Sequence, residues 1–222
     1  MTIHLINPNS STAVTAAVDA AIDPLRTASG FGIQCHTLAD GPAGIETQAH
    51  VDGIVGPLLA RAAALENSAS AFVIACFSDP GLFALREQSA RPVLGIAEAA
   101  VLTAMTKGQR FGILSILGRS VPRHLRYLAA MGVTDRLAAD LPLELGVAEL
   151  QHEARTFTRM QEVGTKLRDL HGAEVLIMGC AGMANFRARL EESLGVPVVD
   201  PSQAAVAMAI GQAGIAQAHS KH

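Results

Sequence analysis

Apolar residues along this chain gather in short runs, and each run gives way to a polar loop and then to a longer stretch with apolar positions at helical spacing. The short runs are HLIN at 4–7, FGIQCHTL at 31–38, AFVIAC at 71–76, PVLGI at 92–96, RFGILSI at 110–116, EVLIMG at 174–179 and VPVVD at 196–200. Helical stretches follow at 10–25, 47–67, 80–88, 97–107, 121–131, 147–170 and 183–193, and a last helix runs from 200 to 222. Runs such as AFVIA and VLIMG are continuously apolar, the signature of strands buried on both faces. Strands of this kind alternating with helices predict an α/β fold, parallel sheets flanked by helices.

The pattern also repeats. FVIACFSDPGLFALREQSARPVLGIAEAAV at 72–101 lies over VLIMGCAGMANFRARLEESLGVPVVDPSQAAV at 175–206: an apolar strand, a cysteine, a glycine-containing turn, a helix with Phe and Arg, a Pro-Val strand and an Ala-Ala pair. Cys76 precedes Pro92 by 16 positions and Cys180 precedes Pro197 by 17. More loosely, HLINPNSS matches RFGILSILGRS, setting Asn7, Asn9 and Ser10 opposite Ser115. We therefore expect two pseudo-symmetric α/β lobes, residues 1–96 and 97–199, with the helix 200–222 returning to the first. Ligands of parallel sheets bind outside the carboxyl ends of the strands, which places the site in the cleft between the lobes. Cys76 and Cys180 both stand at such ends.

Composition narrows the class. The 222 residues are 50% hydrophobic, enough to bury a sizeable core, and 17 Lys and Arg against 20 Asp and Glu give a net charge of −3. No basic field exists for nucleic acid or anionic lipid, so neither is an expected partner. The opening MTIHLINPNSS lacks the form of a secretory leader, and the uncharged 201–218 segment, with three Gln and two Gly, reads as a docked helix and not a membrane span. Three widely spaced cysteines, Cys35, Cys76 and Cys180, suit reduced thiols in the cytosol. No CxxC or HxxxH pair nucleates a metal site, and no GxGxxG, GxxxxGK[ST] or GxSxG motif points to a nucleotide or to serine hydrolysis. No metal and no cofactor are expected.

A cysteine just before a helix meets unpaired N–H groups and the positive end of the dipole, which lowers a thiol from about 8.5 toward a working base or nucleophile. Taken singly, Cys76 or Cys180 serves equally well as a small apolar filler. As a symmetric pair they can face one carbon from opposite sides, one removing an acidic proton and the other delivering a proton to the opposite face. Backbone N–H groups after each cysteine, including that of Ala181, can hold a carbonyl oxygen on which charge develops, and Gly182 within GCAGM permits close backbone approach. Cys35, inside a strand and without a counterpart, reads as structural, and so does His4. Glu98 and Asp200 read as helix N-terminal charges or caps.

These residues resemble the hydantoin racemase group of the aspartate/glutamate racemase superfamily, which includes allantoin racemase. The likeness is carried by INPNSS at 6–11, ACFSDPGL at 75–82, PVLGIAEAA at 92–100, MGCAGM at 178–183 and VPVVDPSQAAV at 196–206. It implies two pseudo-symmetric lobes, cofactor-independent two-base racemisation of a 5-substituted hydantoin or related cyclic ureide through Cys76 and Cys180, and a homo-oligomer. It also implies that Asn9, Ile45, Phe77, Ser115 and Ile116 line the substrate site. The chain departs from the group at Ser115-Ile116, where a Thr-Thr pair is usual, and in GIETQAH, where Gly44 replaces a serine and Gln48 and Ala49 replace a bulkier polar or aromatic residue. Cys76-Phe77-Ser78 also lacks the Cys-Asn-Thr of amino-acid racemases. The alternatives are an amino-acid racemase, a maleate isomerase-like or arylmalonate decarboxylase-like enzyme, and a non-catalytic binding or thiol-switch protein.

Overall fold

The computed structural model describes residues 2–219, so positions 220–222 of the expected last helix lie outside the described residues. The first half runs β1 (Thr2–Asn7), α1 (Thr12–Ala21), α2 (Asp23–Ser29), β2 (Gly32–Thr37), α3 (Gln48–Gly53), α4 (Val55–Leu65), β3 (Ala69–Ile74), α5 (Leu82–Gln88) and β4 (Val93–Gly95). The second runs α6 (Ile96–Met105), β5 (Phe111–Ser115), α7 (Val121–Met131), β6 (Leu137–Pro142), α8 (Glu153–Asp169), β7 (Val175–Met178), α9 (Arg187–Leu194), β8 (Val198–Val199) and α10 (Pro201–His219). Each half forms one four-stranded sheet, ordered β2-β1-β3-β4 and β6-β5-β7-β8, and every pairing is parallel.

Side-chain alternation along the strands divides the core into layers. In β3, Ala71 and Val73 face the main core, which is continuous across both sheets, while Phe72 and Ile74 face a smaller cluster with Leu58, Leu82 and Leu85. Helix α6 leaves the end of the first sheet and packs on β5, β7 and β8, whereas α10 leaves the second sheet and packs on β1, β3 and β4. The two exchanged helices lie against one another, and both bury small residues, Ala97, Ala100 and Ala104 on one and Ala205, Ala209 and Ala213 on the other. No helix among the described residues is long and apolar enough to cross a membrane.

Several expected helices are broken. The 10–25 stretch splits at Ile22 because Pro24 has no N–H to continue the ladder, and 47–67 splits at Ile54 because Pro57 cannot donate to the Gly53 carbonyl. The 147–170 stretch is a short 3₁₀ segment, Val147–Gln151, followed by α8, and 183–193 begins as a 3₁₀ turn, Ala181–Phe186, before α9. Strand β6 falls where no strand was expected, since LAADLP is a half-exposed edge strand with one buried position, Asp140.

The loop carrying Cys76 is fixed by Asp79. This residue is buried at φ +42, accepts the N–H groups of Ala97 (2.9 Å) and Glu98 (2.8 Å) at the start of α6, and accepts the Tyr127 hydroxyl of α7 (2.8 Å). Gly95 makes room for it, because a Cβ there would stand 2.1 Å from the Asp79 carboxyl carbon. One carboxylate thus ties the thiol loop of the first half to two helices that serve the second. Asp79→Ala leaves three donors without their acceptor, and we expect it to lower stability by about 3 kcal/mol, read as a fall in the urea midpoint at unchanged m-value.

Candidate active site

The loops that follow β1, β2 and β3 meet those that follow β5, β6 and β7, all at strand carboxyl ends. Between them lies a cavity of about 30 Å³ whose wall includes Asn9, Ile45, Cys76, Ile116, Val147 and Cys180. Phe77 and Ala181, each next to a cysteine, line it too. Seven of the nine residues singled out from the sequence therefore share this wall. Ser115 stands behind it, fully buried, its hydroxyl donating to Asp140 Oδ1 and lying 3.2 Å from His124 Nδ1. Gly182 faces a different groove beside α1, and its N–H points back at the Cys180 sulfur, 3.4 Å away.

Asn9 is held by its own loop. Its Oδ1 accepts Asn7 Nδ2 and the Ser11 N–H, both at 2.9 Å, which fixes the amide so that Nδ2 is the group left free to donate into the cavity. Asn7 is spent on the loop: its amide also bonds the Ser11 carbonyl and Thr15. Neither the Phe77 nor the Ala181 N–H donates to another backbone carbonyl among the described residues.

The thiols do not behave as their helix-end positions suggest. Burial pushes Cys76 up to about 12, with Cys180 and Asp79 adding to the rise and Arg123 and the Ser78 N–H opposing it. Burial likewise pushes Cys180 up to about 11, opposed by the Gly182 N–H. The expected lowering is thus overturned: desolvation of a charged sulfur outweighs the few donors that reach it. Part of the reason is distance along the chain, since α5 begins only at Leu82, whereas Cys180 itself caps the 3₁₀ turn. Cys35 in β2 is also pushed up to about 12 by burial and lies outside the cleft wall. His4 is paired with His36 and Ser68, each at 2.9 Å, and Asp200 accepts the Gln203 N–H as the cap of α10.

Sequence reasoning missed the contribution of α7. Arg123 and His124 are buried on its inner face and line the thiol cavity. His124 Nδ1 lies 2.8 Å from Asp140 Oδ2, so Nε2 is the ring nitrogen left for a ligand, and Phe77 meets the ring edge-on with centroids 5.2 Å apart. Arg123 Nε donates to Ser78 Oγ at 2.8 Å, and Arg126 donates to Gln48 at 2.9 Å. Nearby, Glu46 accepts from Arg119 (2.7 Å) and from the Val147 N–H (3.0 Å). These bonds sew the halves together along one seam. Gly44 belongs to that seam, because a Cβ there would come within 2.8 Å of Val147 Cβ. A second, larger chamber of about 350 Å³ lies alongside, sharing Phe77, Ser78, Arg123 and His124 with the thiol cavity and running out to Gln48 and Tyr127. Among the described residues no group of three His, Cys, Asp or Glu side chains is placed to hold a metal ion.

A family model described as Asp/Glu/Hydantoin racemase matches residues 3–209. A hydantoin racemase of Paenarthrobacter aurescens is 39% identical over 213 residues, covering 94% of this chain and 89% of that protein. One from Rhizobium meliloti is 38% identical over 235 residues, covering 100% of this chain and 92% of that protein. Among solved structures, allantoin racemase from Klebsiella pneumoniae matches with a TM-score of 0.91 at 30% identity, over 97% of this chain and 89% of that one.

The raised thiols make a direct expectation for the ligand-free protein. With Cys180 at about 11, its thiolate fraction at pH 8 is about 10⁻³. Alkylation of Cys76 and Cys180 by iodoacetamide, mapped by peptide mass spectrometry, should be far slower than that of a free thiol and should keep rising beyond pH 10.

Proposed function

Because the chain belongs to the Asp/Glu/Hydantoin racemase family and is an isomerase of the racemase type, we propose that it racemises 5-substituted hydantoins or related cyclic ureides such as allantoin, without a cofactor, by two-base proton transfer between Cys76 and Cys180. The observation that carries this reading is that two cysteines from equivalent strand ends of the two sheets line one cavity. The lobes 1–96, with α10, and 97–199 are the two walls, each supplying one thiol.

The chemistry starts from one thiolate and one thiol. The thiolate takes the proton at C5, the ring carbon bonded to N1 and to the C4 carbonyl, and the electron pair moves onto the C4 carbonyl oxygen. The N–H groups of Phe77 and Ala181 and the free Nδ2 of Asn9 are the donors suited to that oxygen, and in a dry site such donors count for more than in water. The second thiol then gives its proton to the opposite face of the same carbon. The cycle ends with the protonation states of Cys76 and Cys180 exchanged, ready for the other enantiomer.

Desolvation works for this step as well as against it. A thiolate formed where burial disfavours its charge is a stronger base than one in water, which matches the weak acidity of a ring C–H. Arg123 and the Ser78 N–H on the Cys76 side, and the Gly182 N–H on the Cys180 side, keep the anion within reach on either wall.

Cys76→Ser and Cys180→Ser should each reduce racemisation by about 1,000-fold or more, because an alcohol is too weak an acid and base to replace either thiol. Polarimetry with a panel of 5-alkylhydantoins and allantoin checks this. Full racemisation by either variant contradicts the two-thiol mechanism.

A further inference from the structure

Arg123 is only 9% exposed, and a buried guanidinium is charged at any working pH. Its Nε is used on Ser78, but Nη1 and Nη2 carry no hydrogen bond to protein among the described residues. No carboxylate of those residues lies within ion-pair distance of it, although ten other arginine–carboxylate pairs form among the described residues. Nη1 and Nη2 are not among the buried side-chain atoms that lack a partner, so they reach the open space of the cavities that Arg123 lines and are available to a ligand.

The surroundings have the same sign. Neither the thiol cavity nor the 350 Å³ chamber has an Asp or Glu in its wall, while Arg123 lines both and Arg126 lines the chamber. The Asp140 carboxylate behind the wall is engaged by His124 and Ser115, and Asp79 is engaged by Ala97, Glu98 and Tyr127. In a chain of net charge −3, this is a pocket adjoining the two thiols whose charged side chains are arginines, with Val51, Ala97, Val101 and Leu128 as apolar walls and Gln48, Ser78, His124 and Tyr127 as neutral polar ones.

Building on the racemase reading, we infer that Arg123 selects the substrate by binding a carboxylate carried on the ring substituent, so that the preferred substrates are 5-(carboxyalkyl)hydantoins. The ring lies between Cys76 and Cys180, and the substituent passes Phe77 and His124 into the chamber, where its carboxylate takes Nη1 and Nη2 of Arg123 in the paired geometry that a guanidinium offers. Arg123 Nε stays on Ser78, which aims the fork. A neutral alkyl substituent of the same length fills the space but leaves the cation unpaired.

The test compares hydantoin-5-acetate and hydantoin-5-propionate with their neutral carboxamides, using wild type, Arg123→Met and Arg123→Lys, with racemisation kinetics and calorimetric binding as two readouts. Wild type should favour the carboxylates. Arg123→Met should reduce the carboxylate-to-carboxamide ratio of kcat/KM roughly 100-fold, chiefly through KM, and Arg123→Lys should keep part of the preference. A ratio that stays constant in both variants assigns Arg123 to the fold or to thiol tuning and overturns the inference. Racemisation of neutral hydantoins by wild type with no preference for carboxylates overturns it too, while leaving the racemase reading intact. If no hydantoin is racemised, the racemase reading falls. Arg123-dependent binding of hydantoin-5-acetate would then still support the anion site, and its absence would overturn that as well.

Discussion

Desolvation of two thiols at facing strand ends is the constraint on which the rest of the site depends. A neutral cysteine is easily buried, but a thiolate is not, so every group that touches the cavity matters for whether a base can form there. Those groups are few: a guanidinium on one side, a backbone N–H on each, and the free amide of Asn9. The cavity between them, about 30 Å³, has room for about one water. The chamber of about 350 Å³ adjoins it through Phe77, Ser78, Arg123 and His124. The seam beside the cavity is polar, made by Arg119, Arg123, Arg126 and Tyr127 reaching across to Glu46, Ser78, Gln48 and Asp79.

The duplicated sheet is what brings the two thiols to the wall of one cavity. Both sheets share one strand order, and each cysteine follows the third strand of its half in the chain, which is central in the sheet. Exchange of α6 and α10 between the halves packs the two helices against each other and against the opposite sheets. Asp79 then joins the first thiol loop to the start of α6 and to α7. Position at the cleft is therefore set by backbone geometry, and the choice of ligand is left to side chains on the loops and on α7.

Much of this was legible in the amino-acid pattern. The strands are continuous apolar runs, and the cysteines were found together because the duplication aligned them. What escaped shares a physical cause. Strand β6 is an edge strand with a polar, half-exposed sequence, so hydrophobicity does not mark it, although the repeat predicts a partner for β2 at that place. Arg123 and His124 sit in VPRHLRY, which looks like a solvated helix face, and only tertiary packing turns that face inward. Ser115, expected to line the substrate site, stands behind the cavity wall because its hydroxyl is committed to Asp140, a residue of the strand that hydrophobicity does not mark. The thiol energetics went wrong for a related reason: proximity to a helix start is local, while burial is a property of the whole cleft.

The central claim is that Cys76 and Cys180 act on opposite faces of one carbon, and racemisation in deuterium oxide examines it most directly. Starting from one enantiomer and sampling at low conversion, the account predicts that the newly formed enantiomer carries deuterium from its first appearance while the unreacted enantiomer keeps its protium. A product that retains the substrate's own hydrogen, or substrate and product labelled at equal rates, would mean that a single base serves both faces and would contradict it.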